Sequence, residues 1–334
     1  VYVEHKNKKT WLVTGGCGFI GSHLVDAIMS AGDRVVNIDN LAPSVHIGST
    51  PTPGGDEFIH ADIGDADVVM DTLKRNNPWR VINLAAETHV DRSISSPGDF
   101  FKSNVESTWR FVDAVNRWRE AEGVSDFLFV HVSTDEVYGS RKPHDPPTDE
   151  MDRYHPRNPY AASKAASDHV VRAWGETFGL PHVVTNCSNN YGPRQFREKF
   201  IPNTISCAMS GREVPIYGDG RQVREWLHVK DHCDALVLIA KSSAAGETYN
   251  ISSEDFRENI WVAKEILKTM EDLDGEKYGH LITHVKDRIG HDCRYAIKSS
   301  KLQKELGWRA KKSLSDGLRE TVAWYMNNRE WMAR

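Results

Sequence analysis

Thr14-Gly15-Gly16-Cys17-Gly18-Phe19-Ile20-Gly21 stands between an apolar run at 11–14 and an amphipathic stretch at 19–31. Glycines at a G-x-x-G-x-x-G spacing in that setting restrict the chain sharply. They allow a tight strand-to-helix turn and close backbone approach, so a pyrophosphate can sit on the amides of Phe19, Ile20 and Gly21 and on the positive helix dipole. Such a glycine pattern is weak alone and specific when an acid ends the next strand. That acid is Asp39, 18 residues beyond Gly21 and followed by Asn40. Its carboxylate suits the hydroxyls of an adenosine ribose and would repel a 2′-phosphate, which favours NAD over NADP as cofactor.

Further β-rich runs at 34–39, 57–61, 80–85, 127–133 and 182–186 alternate with predicted helices near 19–31, 65–76, 99–121, 161–178 and 198–210. This alternation predicts an α/β protein: a doubly wound, mostly parallel Rossmann sheet with helices on both faces. The apolar runs are continuous, as strands buried on both faces require. With 334 residues the chain has length for a second, smaller region. Beyond Gly192 the pattern is less regular, with helix-like segments at 231–242, 259–273 and 314–326. The expected division is a dinucleotide-binding domain over 1–191 and a smaller, substrate-covering C-terminal domain over 192–334, with some segments returning to the main sheet. Five prolines crowd 143–159, which therefore reads as an irregular loop.

Composition excludes several classes of partner. Net charge is −5 and no long basic stripe appears, so nucleic acid is not expected; the basic patch at 6–9 reads as a solvated tail. Cys17, Cys187, Cys207, Cys233 and Cys293 are odd in number and never spaced C-x-x-C. That argues against a disulfide framework and a zinc site, and for a reducing compartment. No 18-residue apolar run and no leader with a cleavage site is seen, so the expectation is a cytoplasmic protein with no membrane partner and no metal.

Ser133-Thr134-Asp135-Glu136-Val137-Tyr138-Gly139 places adjacent carboxylates at the end of the fifth run. A bare Asp-Glu is ordinarily a solvated turn or a helix cap. At the strand end of a doubly wound sheet, neighbouring acids can divide the roles of proton donor and base, which a dehydration needs. Tyr160-Ala161-Ala162-Ser163-Lys164 adds a phenol and an ammonium at i and i+4 on a helix expected to begin after Pro159. A nearby cation favours phenolate and makes the tyrosine a base for a hydroxyl.

Together these residues resemble the extended short-chain dehydrogenase/reductase superfamily, and within it the nucleotide-sugar 4,6-dehydratases, the dTDP-glucose 4,6-dehydratase family most nearly. The resemblance runs from Thr14 to about Trp331. Its most specific pieces are Thr134-Asp135-Glu136, Leu84-Ala85-Ala86-Glu87-Thr88-His89-Val90-Asp91-Arg92-Ser93, Asn186-Cys187-Ser188-Asn189-Asn190-Tyr191-Gly192-Pro193 and Asp287-Arg288-Ile289-Gly290-His291-Asp292. Related epimerases and decarboxylases share the glycines and the Tyr/Lys pair but normally lack the Asp-Glu pair.

The resemblance implies that Tyr160 takes the C4 hydroxyl proton of the sugar while hydride passes to NAD, Lys164 holding the ribose and Thr134 bonding the substrate. Glu136 then removes the C5 proton, Asp135 protonates the leaving C6 hydroxyl, and hydride returns to C6. It further implies that Gly15, Gly18, Phe19, Ile20, Gly21, Asp39, Asn40, Asp62, Ile63, Leu84, Ala85, Ala86, Glu87, Ser103, Tyr160, Lys164 and Asn190 bind the cofactor. Thr88 and Thr134 would face the sugar. Asn189, Lys199, Phe200, Pro215, Ile216, Tyr217, Arg224, Asn259, Asp287, Arg288 and His291 would hold the nucleoside diphosphate. A homodimer through the helices near 99–121 and 161–178 is also implied.

The sequence departs from that pattern at Phe200 (usually leucine), Glu225 and His228 (aspartate and tyrosine), Ile289 (proline) and Cys293 (arginine). No catalytic group is lost, but the departures leave the base and exact sugar open. UDP-glucose is the alternative substrate, and a UDP-sugar 4-epimerase or decarboxylase the alternative activity. A catalytically silent NAD-binding relative would be expected to lose Tyr160 and Lys164, and both are present.

Overall fold

Twelve strands are formed by the residues that the computed structural model describes, 8–42, 55–287 and 292–332. They are β1 (Thr10–Thr14), β2 (Arg34–Asp39), β3 (Glu57–His60), β4 (Arg80–Asn83), β5 (Leu128–Thr134), β6 (His182–Cys187), β7 (Asn189–Tyr191), β8 (Val214–Tyr217), β9 (Val223–His228), β10 (Glu247–Ile251), β11 (Phe256–Glu258) and β12 (Ile282–Val285). Seven build one sheet in the order β10-β6-β5-β4-β1-β2-β3. β1 pairs in parallel with β2 on one side and β4 on the other, β2 with β3, and β4 with β5. The winding therefore reverses between β1 and β4, and in such sheets the crevice for a ligand opens beyond the strand ends at that point. Every residue of β4 and β5 is buried, as their continuous apolar runs predict.

Two units separate along the chain. One gathers the described residues up to Val137 with Pro156–Asn186 and Cys233–Tyr249; the other gathers Tyr138–His155, Cys187–His232 and the described residues from Asn250 onward. The units interleave: Cys233–Tyr249, beyond the expected division at 191/192, groups with the first unit, and Tyr138–His155, before it, groups with the second. No helix of the described residues is long and apolar enough to cross a membrane.

The helix Pro159–Phe178 starts at the proline, not after it. Asn158 is its N-cap, accepting from the Ala161 N–H, and proline at the first helical position has no N–H of its own to satisfy. The helix expected over 99–121 is broken into Pro97–Phe101, a π-helical turn Lys102–Ser107, and Thr108–Ala121. Short helices at Val90–Ser95, Ser300–Leu306 and Arg329–Met332 were not foreseen.

In the second unit β7 and β11 flank β9, and β8 pairs with β12. The helices Phe200–Met209, Asn259–Asp274 and Leu314–Asn327 contribute to its core, with Tyr191, Val262, Ile266, Leu318 and Tyr325 fully buried. A Cβ added at Gly317 would lie 2.0 Å from the Tyr191 hydroxyl. Gly317→Ala should therefore destabilise by about 1–3 kcal/mol through overpacking, although alanine is the better helix former. Gly98→Ala, with nothing within 4 Å of the added Cβ, should be neutral or slightly stabilising. Denaturant midpoints check the pair.

Parallel register also sets Thr14, Asn83 and His131 level with one another on β1, β4 and β5. All three are buried, and their polar groups form one chain. Thr14 Oγ1 donates to Asn83 Oδ1 at 2.6 Å, which turns the Asn83 amide nitrogen to His131 Nδ1 at 3.2 Å. Nδ1 is then an acceptor and Nε2 carries the hydrogen, facing Ser167 Oγ at 3.2 Å and Asp168 Oδ1 at 3.4 Å. Burial, aided by the Lys164 charge, pushes His131 down to about 4, so the ring is neutral at neutral pH. A histidine lowered on folding contributes stability above its ordinary value near 6.5 and loses it as pH falls toward 4. That loss is of order 3 kcal/mol. His131→Gln should flatten the fall in thermal midpoint between neutral pH and about pH 4; an unchanged slope would assign the acid lability elsewhere.

Candidate active site

The glycine loop is a cradle that side chains would fill. Gly15 has a φ of +69°, and a Cβ there would lie 2.9 Å from the Ala85 nitrogen. At Gly21 a Cβ would come within 2.1 Å of the Gly15 carbonyl. The helix Phe19–Ser30 begins at Gly18, which has no capping side chain, and its first turn holds no acid, so its amides and dipole are open to an anion. Asn37, unremarked in the sequence, holds the loop from β2: its Oδ1 accepts from Gly16 N at 2.9 Å and its Nδ2 donates to Cys17 Sγ at 3.2 Å. An amide within an otherwise apolar strand was the available signal.

Asp39 ends β2 and accepts from Cys17 N at 2.9 Å and Leu41 N at 2.8 Å. Burial raises its carboxyl above the usual range, against those bonds. Asn40 donates to Asp62 at 3.4 Å, so Asp39, Asn40 and Asp62 gather at the ends of β2 and β3. Ile63 buries its side chain in the core, leaving only its backbone for a ligand. The segment after β4 lies against the loop: Leu84 N donates to Thr14 O and Ala85 N to Thr14 Oγ1, both at 3.2 Å. Glu87 exchanges hydrogen bonds with Asn104, whose Nδ2 also donates to Ser163 Oγ at 2.9 Å. Asn104 thus ties the 84–87 segment to the helix of Tyr160. It sits in the π-helical turn beside half-buried Ser103, and no sequence pattern announced it.

Thr134, Asp135 and Glu136 stand at the C-terminal end of β5, the last two opening a 3-10 turn, Asp135–Tyr138. Thr134 Oγ1 donates to Asp135 at 3.3 Å and accepts from Glu136 N at 3.3 Å. Asp135 is 3 % exposed, while Glu136 is only partly buried. Glu136 Oε2 accepts from Asn158 Nδ2 at 3.2 Å, linking the acid pair to the start of the helix that carries Tyr160 and Lys164. Both of those side chains are buried, and Lys164 Nζ donates to Val132 O of β5 at 2.9 Å. Asp168, one turn beyond Lys164, accepts from Ser133 Oγ at 2.8 Å. Burial raises its carboxyl, but the His131 bond and the Lys164 and Arg172 charges outweigh that and hold it below the usual range. Thr88 lies exposed after β4.

In the second unit, Asn189 Oδ1 is buried without a hydrogen-bond partner among the described residues. Asn190 instead faces His232 Nδ1 at 2.9 Å and donates to Ser188 O at 3.0 Å. Tyr217, Asn259 and Asp287 converge on the turn after β8: Asn259 N bonds Gln222 O, and Gln222 Nε2 donates to Asp287 at 3.1 Å. Arg224 spends its guanidinium on the carbonyls of Val223 and Asp292 and on the Tyr295 ring. Ile216 is 1 % exposed in the core, with Pro215 and Tyr217 on the opposite face of β8. Phe200 stacks on Trp226 at 6.0 Å, and Lys199 is the N-cap of its helix. Glu225 is structural: buried, it accepts from Ser252 Oγ and from Glu254 N, and burial pushes it up to about 7. His228 is buried edge-on to Tyr191, whereas Cys293 is exposed. Arg288, Ile289 and His291 lie outside the described residues.

Comparison with known proteins agrees with this arrangement. The chain is 45 % identical over 333 residues to the dTDP-glucose 4,6-dehydratase of Xanthomonas campestris pv. campestris, covering 97 % of this chain and 95 % of that one. It is 43 % identical over 344 residues to the enzyme of that name from Escherichia coli, covering 97 % and 95 %. DesIV, a dTDP-glucose 4,6-dehydratase of Streptomyces venezuelae with NAD and TYD bound, superposes with a TM-score of 0.87 at 38 % identity, covering 96 % of this chain and 98 % of that one. The match to the GDP-mannose 4,6 dehydratase family spans residues 12–321, and with the glycine loop, the Tyr/Lys helix and the acid pair all inside that span, the chain belongs to this family.

Proposed function

We propose that the chain converts dTDP-glucose to dTDP-4-keto-6-deoxyglucose, using NAD. The observation that carries this reading is the acid pair at the end of β5, hydrogen-bonded to the cap of the helix bearing Tyr160 and Lys164. An epimerase needs the tyrosine and lysine but no acid at Asp135.

The glycine cradle fits a pyrophosphate; Asp39 and Asn40 would take the adenosine ribose, and Asp62 with the Ile63 backbone the adenine. Leu84, Ala85, Ala86, Glu87 and Ser103 would line the cofactor, with Lys164 on the nicotinamide ribose. Bound there, NAD would supply the hydride acceptor for C4 and the hydride donor for C6. Tyr160 acts as base for the C4 hydroxyl, its phenolate favoured by the Lys164 ammonium. The C4 ketone acidifies C5, from which Glu136 takes the proton while Asp135 protonates the departing C6 hydroxyl. The Thr134 hydroxyl bonds the Asp135 carboxylate and accepts from the Glu136 backbone N–H. In the second unit, Asn189, Lys199, Tyr217, Arg224, Asn259 and Asp287 are the groups proposed for the nucleoside diphosphate.

We further infer a homodimer, a second copy covering the exposed Ile94, Phe101, Trp109 and Phe178. A cytosolic location fits five cysteines that are odd in number and never spaced C-x-x-C.

Incubation with dTDP-glucose should give the alkali-induced near-ultraviolet absorbance of a 4-keto-6-deoxy sugar and a mass loss of one water. A response to UDP-glucose alone would overturn the base. No water loss from either would overturn the roles given to Asp135 and Glu136. Asp135→Asn should lower turnover by roughly 100-fold or more, as loss of a general acid does; near-normal turnover would favour an epimerase.

A further inference from the structure

Asparagine, aspartate and serine cap helices about equally well, but aspartate brings no donor, serine only the hydrogen on the capping oxygen itself, and asparagine a separate amide nitrogen that reaches further. At Asn158 that difference is used. Its Oδ1 accepts from Ala161 N at 2.8 Å, which fixes the orientation of the amide. Its Nδ2 is thereby turned to Glu136 Oε2 at 3.2 Å, across 22 residues of sequence. Glu136 is held from the other side through its backbone, whose N–H donates to Thr134 Oγ1. A glutamate side chain has several free torsions, and a base must meet its proton in a narrow range of distance and angle. A partly buried glutamate gains a fixed rotamer from this amide and support for its charged form.

We propose that Asn158 is a positioning residue for the elimination step, its amide holding the Glu136 carboxylate in the orientation from which it takes the C5 proton. The inference rests on the reading of Glu136 as the C5 base. In that step Glu136 gains the C5 proton, the C–H electron pair becomes the C5–C6 double bond, and the C6 hydroxyl leaves as water with the proton of Asp135; nothing is oxidised or reduced. Because Asn158 also starts the helix that presents Tyr160 two residues later, its cap and its hold on Glu136 must be separated by experiment.

Asn158→Ser keeps the cap and exchanges the amide donor for the shorter hydroxyl of the capping oxygen itself; Asn158→Asp keeps the cap, removes the donor and sets a like charge against Glu136. Each NAD-loaded variant, with Glu136→Gln as reference, is followed in single turnovers of dTDP-glucose and its C5-deuterated form. Appearance of reduced cofactor reads the C4 step, and mass spectrometry reads loss of water. Water loss should slow roughly tenfold in Asn158→Ser and roughly a hundredfold in Asn158→Asp, with the C5 deuterium effect more fully expressed. The C4 step should stay within about twofold of the native rate, since the cap survives. Equal slowing of both steps would overturn the proposal by assigning Asn158 to the cap alone, and native rates in both would overturn it outright. If Glu136→Gln still loses water at the native rate, the reading of Glu136 as base fails, and the inference with it.

Discussion

An ammonium buried at the end of a parallel sheet requires polar surroundings that compensate its charge, and the first unit is arranged to meet that requirement for Lys164. Its side chain is 4 % exposed and donates to a β5 carbonyl. Asp168, fully buried one turn along the same helix, supplies a carboxylate whose charge interacts with Lys164 and Arg172. His131 and Ser133 solvate that carboxylate from β5. A buried charge cluster of this kind adds little net stability over an apolar filling, but fixes orientation. Through Asn83 the orientation extends to Thr14, the residue from which the glycine loop departs. The cofactor cradle and the Tyr/Lys helix are therefore positioned by one hydrogen-bonded network.

What the sequence made legible was whatever is periodic or local. Buried parallel strands are continuous apolar runs, so β2 coincides with its expected bounds and the other five differ by a residue or two. The π-helical turn Lys102–Ser107 was invisible because shifting a hydrogen-bond register by one residue needs no change in composition. Val90–Ser95 and Ser300–Leu306 are too short to display a helical period. Hydrogen bonds between distant positions were also illegible: Asn104 meets Ser163 and Asn158 meets Glu136 only because the fold brings them together. An asparagine before a proline announces a cap and nothing about its second partner.

Residues of the second unit show a different limit. Resemblance assigns Phe200, Ile216 and Arg224 to a ligand, and each has a structural role besides: Ile216 fills the core, Phe200 stacks on Trp226, and Arg224 bonds two carbonyls. A motif reports that a position matters and not whether its side chain or its backbone does. Asn189 is the contrasting case, since its buried oxygen has no partner among the described residues and stays open to the ligand role proposed for it.

The division of labour proposed for the two acids follows from their unequal surroundings. They are neighbours in one 3-10 turn, but Asp135 is almost completely buried while Glu136 is partly open and receives the amide of Asn158. Burial favours the neutral form of a carboxyl, and a hydrogen-bond donor favours the charged form. Asp135 also accepts from the Thr134 hydroxyl, so it is depth rather than the absence of a donor that separates the two in the proposed roles, the deeper group delivering a proton to a departing hydroxyl and the more open one removing a proton from carbon. A single turn of backbone can in this way equip one strand end for both halves of an elimination, next to a helix whose tyrosine and lysine are the groups proposed for the oxidation that makes the elimination feasible.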